Sequence, residues 1–398
     1  MIHRAQLLPL LQPEVLLLLR CLEAGTTVQS GEFTDIDTEQ FLYVLDCHRL
    51  TNVVCMEIQN TPGVPTVIRE RLKAQSVHNK FRQLGFVAEL GRVLKQFQAH
   101  HIDVIALKGP ILSQLYYGDY TLRECKDLDI LVCPANLQAA FGVLTDAGYT
   151  LSETLWNSPK QELIYRKTFH HYSFYHPERA IQFELHWRLN VSESEYDHEA
   201  IWSNAVPHLL AGLPVKCLAP TDTFIYLCVH GGTHQWKRLF WLLDIARIIQ
   251  KEGHDFLLQA YWQAVDQQVD RYVLSGCQLA YKLMGVQLPP SLHKAIRQDK
   301  TIEKLFESSA FWINAVSETY QSPFASVKTF RLSLARFVNA YRSVFYLQGY
   351  RSICIIFRDY FVNPAYWSIY AFSDRFFALN YVAAPFVWIY SIFRKERQ

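Results

Sequence analysis

VIALKGPILSQLYYGDYTLRECKDLDILV, running from Val104 to Val132, is the stretch whose reading decides the fold. Val104-Ile105-Ala106-Leu107 is a short apolar run of the kind that forms a buried strand. Lys108-Gly109-Pro110 breaks it. Gly109 permits a tight turn, and Pro110 suits the first position of a helix, where a missing N–H is no loss. The helix continues from Ile111 to Tyr117 and stops at Gly118-Asp119. A second strand follows over Asp127–Val132. Its side chains alternate between two faces, so Asp127 and Asp129 project together while Leu128 and Ile130 enter a core. Two carboxylates side by side repel each other, and a divalent cation that takes oxygen ligands, Mg²⁺ or Mn²⁺, relieves the repulsion. Backbone N–H groups at the helix start after Gly109 suit a phosphate, and Lys108 adds a point charge. By spacing alone a D-x-D pair is more often a solvated strand end than a metal site. The strand–glycine–helix unit before it is what favours chemistry at a phosphate.

Upstream, residues 1 to about 75 read as helical. A leucine-rich helix runs from Pro13 to Glu23, ended by Gly25, and Phe33–Arg49 forms another with Thr34 or Asp35 as cap. After an Asn60–Pro65 loop, Thr66–His100 is a long amphipathic helix. Its Phe81, Leu84, Val87, Leu90, Val93, Leu94 and Phe97 read as a packing stripe. Downstream, Ala135–Ala147 is a helix closed by Gly148, and Tyr149–Leu155 a strand. Glu162–Tyr175 and Ala180–Leu189 read as two strands of a hairpin that turns at His176–Arg179. Gln182, Glu184 and His186 share one face of the returning strand. His170 and His171 read as ordinary strand residues.

Residues 190–219 read as a polar connection, a short helix and a β-like Leu213–Leu218. Thr221 or Asp222 caps a helix to about Gln235, and Leu239–Gln250 forms the next. Asp255 to about Lys304 is helical with a Pro289-Pro290 break. His230 and His234 lie one helical turn apart on a shared face. Such spacing suits a zinc pair, but no Glu follows the first His and no third ligand presents itself. A nucleotide- or acceptor-binding role weighs more. Asp244 reads as an ion-pair partner for Arg247 or Arg238, and Trp236 and Trp241 as core or cleft-wall aromatics.

Two blocks carry a resemblance. The wording LKGP…LY…R…DLDILV, with Gly109 before a helix and Asp127-x-Asp129 flanked by aliphatics, looks like the nucleotidyltransferase fold of the DNA polymerase β superfamily. More narrowly it resembles the uncharacterised nucleotidyltransferases found in bacterial natural-product and polysaccharide biosynthesis clusters. The second block is an H-G-x-x-H-x-W-x-R-L-x-W-x-x-D-I-A pattern, here His230, Gly231, His234, Trp236, Arg238, Leu239, Trp241, Asp244, Ile245 and Ala246. Together the blocks span about 85 to 250. Two departures stand out: Gly109 is followed by Pro110 rather than by Ser or Gly, and the spacing to Asp127 is longer than usual.

The resemblance implies an α+β fold, with a small mixed β-sheet nucleotidyltransferase core flanked by N-terminal and C-terminal helical regions. The expected organisation is a helical region over 1–75, the α/β core over 76–190, a helical domain over 191–305 and an aromatic-rich helical region over 306–398. It implies a metal site of Asp127, Asp129 and Glu184, with Glu184 as third ligand and base. Lys108, Gly109, Arg123, Lys126, His230 and His234 are the expected nucleotide and phosphate contacts. The implied partners are a nucleoside triphosphate donor and an acceptor: a peptide natural product, a sugar or a lipid-linked intermediate. The alternative is a non-catalytic binding subunit of a biosynthetic or membrane-associated complex.

Composition narrows the classes further. Half of the 398 residues are hydrophobic and 14% are aromatic, which marks a globular chain. A net charge of +2 with no long basic run argues against a nucleic-acid partner. Nine cysteines without a C-x-x-C pair suit reduced thiols in a cytoplasm. Pro9, Gln12, Pro13 and Glu14 interrupt the N-terminal apolar run, so it reads as a core helix rather than a signal peptide. The tail Phe376–Phe393 is short for a membrane span and carries Asn380 and Pro385. A buried helix and an interfacial membrane anchor are its two leading readings.

Overall fold

The computed structural model of the protein describes residues 10–23, 28–152, 156, 158–189, 198–316, 338–349, 367, 372–384 and 386–387. At its centre stand strands β1 (Val104–Ala106) and β2 (Asp127–Val132), joined by helix α5 (Pro110–Tyr117). Five more strands complete the sheet: β3 (Thr150–Leu151), β4 (His171–His176), β5 (Ile181–His186), β6 (Val206–Leu210) and β7 (Leu213–Cys217). The order is β3-β4-β5-β2-β1-β7-β6. β1 runs antiparallel to β2, while β2 pairs with β5, and β1 with β7, in parallel. The sheet is therefore mixed, and the expected α+β class holds.

The alternation along β1 and β2 sorts their side chains into two cores. Val104, Ala106, Leu128, Ile130 and Val132 pack with the C-terminal half of α4 (Thr66–Ala99) and with α6 (Leu137–Asp146). Ile105 and Leu131 pack on the other side, with residues of α9 (Pro220–Thr233), α10 (Leu239–Asp266) and α11 (Asp270–Met284). Each fully buried aliphatic contributes about 1.5–3 kcal/mol, so this strand pair is pinned in register from both faces. Asp127 and Asp129 share the face of Leu131 and therefore look toward the α9–α10 helices.

The N-terminal helices α1 (Pro13–Leu22), α2 (Thr38–His48) and α3 (Thr51–Ile58) join the second core, as do α12 (Pro290–Gln298) and α13 (Lys300–Ala315). α2 starts later than expected: its cap is Asp37, which accepts from Gln40 N, rather than Thr34 or Asp35. α9 likewise has Ala219 at its cap position and Pro220 at N1, in place of a Thr221 or Asp222 cap. α10 runs past Gln250, with its bend at Gly253, where φ is 85°. Gly25 and the stretch 190–197 lie outside the described residues.

Two expectations fail for physical reasons. The stripe on α4 does not begin at Phe81: Phe81 is 71% exposed and Leu84 48%, and the buried face there is Ser76, Asn79 and Gln83. Those polar residues serve a buried loop described below. Residues 159–168 are a helix, α7 (Pro159–Thr168), and not the first half of a strand. Aromatic and β-branched residues suggested β structure. The deciding signal is Ser158-Pro159-Lys160-Gln161: Ser158 accepts from Gln161 N, and Pro159 sits at N1. Strand β6 went unread because Pro207 lies in it; at a sheet edge a missing N–H is tolerated.

Of the tail Phe376–Phe393, residues 385 and 388–393 lie outside the described residues. Within them Phe377 and Val387 are buried, while Phe376, Leu379, Val382 and Phe386 are exposed. Among the described residues no helix is long and apolar enough to cross a membrane.

Candidate active site

The site begins with a loop that has no right to be buried unless its polar groups find partners. Residues 121–125, leading into β2, are all buried. Thr121 N and Oγ1 donate to Asp119, and Arg123 N donates to Ser113 Oγ on α5. Gln83 on α4 clamps Cys125, donating to its carbonyl at 3.1 Å and accepting its N–H at 3.0 Å. Glu124 accepts from Asn52 N on α3 and from Asn79 on α4. Arg123 donates from Nε to both carboxylate oxygens of Asp244 on α10 at 3.0 Å, and the Tyr117 hydroxyl donates to the same Asp244 at 2.6 Å. The partner of Asp244 is thus Arg123, not Arg238 or Arg247; Arg247 pairs with Glu57. These anchors set where β2 begins, and so where Asp127 and Asp129 stand.

Register brings the third acid alongside. In the parallel β2–β5 pair Asp129 lies opposite Glu184, and Leu131 opposite His186. In the antiparallel β4–β5 pair His171 lies opposite His186. Glu184, His186 and His171 therefore face the same side as Asp127 and Asp129. His186 Nε2 is 3.4 Å from Asp129 Oδ1 and 3.3 Å from Glu184 Oε2. Lys108 Nζ is 2.9 Å from Asp129 Oδ1, so Lys108 sits against a carboxylate and its head is not free in the cavity. Gly109 turns the chain with φ 65° and ψ −130°, a conformation that favours glycine, and no side chain caps α5 after it.

Charge in this pocket is balanced unevenly. Burial alone would lower Lys108, but Asp129 first, then Tyr226 and Glu184, hold it well above its ordinary value. Burial would raise Glu184, yet His171, His186 and Lys108 outweigh it and hold that carboxyl well below the usual range. Asp127 is pushed up by burial and by Asp129. Burial holds His170 well below its ordinary value and His171 down at about 4. His186 is held above its ordinary value, because Asp129 and Glu184 outweigh its burial.

The acids open on a cavity of about 360 Å³ between the sheet and α9–α10. Asp127, Asp129, Glu184, Lys108, Arg123, His230 and His234 all line it. Lys126 does not: it is exposed, because it precedes Asp127 and points to the other side of the chain. The His230 and His234 rings lie 4.7 Å apart and pack on Trp241, His234 in a stack. Among the described residues no third ligand joins them. Burial holds both down, His234 at about 4. The glycines of this block are packing residues. A Cβ on Gly231 would meet the Trp236 ring at 2.3 Å, and one on Gly232 would meet Tyr272 at 2.6 Å. Trp236, with φ 53° and only 1% exposed, lies over that gap.

Three further cations that were not among the expected phosphate contacts line the cavity: Arg49, Lys237 and Arg238. Arg49 caps the end of α2 in a left-handed conformation, φ 55°. Burial and the neighbouring Arg238 push it down to about 10, and Lys237 and Arg238 are also lowered, first by burial. Arg238 also lowers Lys237, and cations crowded in a pocket suit an anion. No signal in the sequence marked Arg49, which reaches the site only because α2 packs against α10; His48 Nδ1 accepts Leu239 N–H at 3.2 Å there.

Two groups of described residues have ligand atoms close enough to share a metal ion: Asp129, Glu184 and His186, and His170, His171 and His186. Asp129 Oδ1 is buried, with Lys108 Nζ at 2.9 Å and His186 Nε2 at 3.4 Å. Asp129, with the Glu184 carboxylate in register beside it, fits a divalent cation.

No curated protein matches the chain. One solved structure that the chain matches is that of ANT(2")-Ia in complex with adenylyl-2"-tobramycin, at 11% identity and a TM-score of 0.31, covering 46% of this chain and 96% of that one. The family described as uncharacterised nucleotidyltransferase matches over residues 34–285, from the second N-terminal helix to the end of α11. That match spans well over half of the chain, and the protein belongs to the uncharacterised nucleotidyltransferase family.

Proposed function

We propose that the protein is a divalent-metal-dependent nucleotidyltransferase. It moves an NMP group from a nucleoside triphosphate to a hydroxyl or phosphate of a biosynthetic acceptor such as a peptide natural product or a sugar. The observation that carries this is the Asp129–Glu184 register across β2 and β5, on a cavity that Arg49, Lys237 and Arg238 also line. Asp127, Asp129 and Glu184 would hold Mg²⁺ or Mn²⁺, with His186 beside them. A bound cation supplies Lewis-acid polarisation of the phosphoryl oxygens.

The chain's own residues do the rest. Arg49, Lys237 and Arg238, which line the same cavity, take the phosphates by charge. Lys108 holds Asp129 in place at 2.9 Å. Arg123 positions β2 through Asp244 and is not a free phosphate ligand through its Nε. The acceptor oxygen bonds to the α-phosphorus, the bond to the β-phosphate oxygen breaks, and pyrophosphate leaves. Glu184, on the cavity side, takes the proton of an acceptor hydroxyl. The Trp241–His234 stack forms a flat wall suited to a base or an acceptor ring.

The test is a thermal-shift panel of the four nucleoside triphosphates and several nucleotide sugars, with and without Mg²⁺ or Mn²⁺. A donor at 100 times its Kd stabilises the fold by about 2.7 kcal/mol. One nucleotide should give a metal-dependent shift that Asp127→Asn/Asp129→Asn abolishes. Shifts that ignore the double substitution, or none with any donor, overturn the proposal in favour of a non-catalytic binding subunit.

A further inference from the structure

The carboxylates do not use up the metal-binding chemistry of this pocket. His170, His171 and His186 bring three imidazoles together beside them. His171 and His186 are cross-strand partners on one face, and His170 stands at the bend before β4, where its carbonyl accepts Trp187 N–H at 3.0 Å. The ring centroids are 4.5, 5.0 and 5.4 Å apart. Their ligand atoms lie within 4.8 Å of one another.

The hydrogen bonding of these rings is incomplete. His171 Nδ1 and His170 Nε2 are 3.1 Å apart and share one proton. His170 Nδ1 and His186 Nδ1 are both buried and have no hydrogen-bond partner among the described residues. His186 is only 2% exposed. Packing histidines in a core normally satisfy each ring nitrogen with a carbonyl, a carboxylate or a hydroxyl. Three rings gathered with two orphaned nitrogens lack that arrangement, and a shared electrophile supplies it.

Ligand chemistry then separates this group from its neighbour. Oxygen donors suit Mg²⁺, Ca²⁺ and Mn²⁺, whereas imidazole sets suit Zn²⁺, Co²⁺, Ni²⁺ and Cu²⁺. We infer that His170, His171 and His186 form a site for a divalent transition metal of the Zn²⁺ class, distinct from the carboxylate site and sharing His186 with its edge. Three-histidine zinc sites leave a fourth position for water or a substrate oxygen. The inference does not depend on nucleotidyl transfer. Where transfer occurs, the site gives the pocket a second, softer cation next to the acids.

The full-length protein is stripped with a chelator, loaded with Zn²⁺ in millimolar Mg²⁺, desalted and assayed for bound zinc. Co²⁺ titration with visible spectroscopy runs in parallel. The wild type should keep about one zinc per chain, held by three protein ligands. Its Co²⁺ form should show the visible bands of a low-coordinate nitrogen site. His170→Ala/His171→Ala should lose its zinc on desalting, with the melting temperature of the metal-free form showing that it folds. Asp127→Asn should keep its zinc while losing the Mg²⁺-dependent nucleotide shift. Zinc held as tightly by His170→Ala/His171→Ala as by wild type places the ion on Asp129, Glu184 and His186 and overturns the inference. So does a wild type that keeps no zinc in Mg²⁺, a result that needs no variant to fold. A wild type that keeps zinc yet gives no nucleotide shift overturns the proposed reaction and leaves the histidine site standing.

Discussion

Asp244→Ala probes the join between the two halves of the site. Asp244 lies on α10, in the helical region, and Arg123 lies in the loop that delivers β2. Their side chains are 0% and 3% exposed, and both carboxylate oxygens receive the Arg123 Nε at 3.0 Å. The substitution strands a guanidinium in the interior. Breaking one partner of a buried pair costs about 3–5 kcal/mol. Tyr117 also loses its 2.6 Å acceptor, and an unsatisfied buried hydroxyl adds about 1–3 kcal/mol. The two terms share one site and do not simply add, so a loss of about 5 kcal/mol is expected, out of the roughly 5–15 kcal/mol that holds a typical domain. The assay is urea unfolding followed by circular dichroism at neutral pH, with wild type, Asp244→Ala, Arg123→Met and Asp244→Leu/Arg123→Met. Replacing both partners with apolar groups removes the stranded charge, so the double variant should be more stable than Asp244→Ala. A loss below about 1 kcal/mol for Asp244→Ala, or a double variant as unstable as the sum of its singles, refutes the reasoning.

Gly231→Ala should lower stability by about 1–3 kcal/mol, because its methyl group lands 2.3 Å from the buried Trp236 ring; an unchanged melting temperature would show that the ring can move. His48 carries a pH dependence. Burial, helped by Arg238, holds its ring at about 3 against an ordinary 6.5, and protonating Nδ1 breaks its bond to Leu239 N–H. The unfolded chain therefore binds the proton first as pH falls, and stability declines from pH about 6.5 toward 3 by up to about 1.4 kcal/mol per pH unit. His48→Gln should flatten this acid limb in pH-dependent unfolding, and an equally steep limb would assign it to other groups. Arg49→Ala and Arg238→Ala should each weaken nucleotide binding about 10-fold and reduce its salt dependence in calorimetric titrations, as loss of a charged phosphate contact does. Binding that keeps its affinity and salt slope in both variants would remove the cationic wall from the site.

Much of the centre was legible because local rules and tertiary demands agree there. Apolar alternation, Gly109, Pro110 and Gly118 each act within a few residues, and they mark β1, α5 and β2 where the structure has them. The carboxylate face of β2 follows from the two-residue period of a strand. Where the two sets of demands conflict, the reading failed. Ser76, Asn79 and Gln83 look like the solvent side of a helix, but the buried loop at residues 121–125 needs their polar groups, so α4 turns that face inward and leaves Phe81 out. Residues 162–168 have strand composition, and the Ser158 N-cap with Pro159 at N1 prevails.

By itself the amino-acid sequence determined the mixed α+β core, the two acids of β2, the candidate third acid on the return strand and the family. All of these are written in local periodicity or in motifs. Only the tertiary structure decided which side chains meet: that Arg123 belongs to Asp244, that Lys126 faces away, that Arg49 reaches the cavity from α2, and that His170 and His171 gather on His186. Register and helix packing bring together groups far apart along the chain. Spacing constrains a residue's neighbours on its own strand or helix, whereas partners on other elements are set by burial and by the need of buried polar groups for one another.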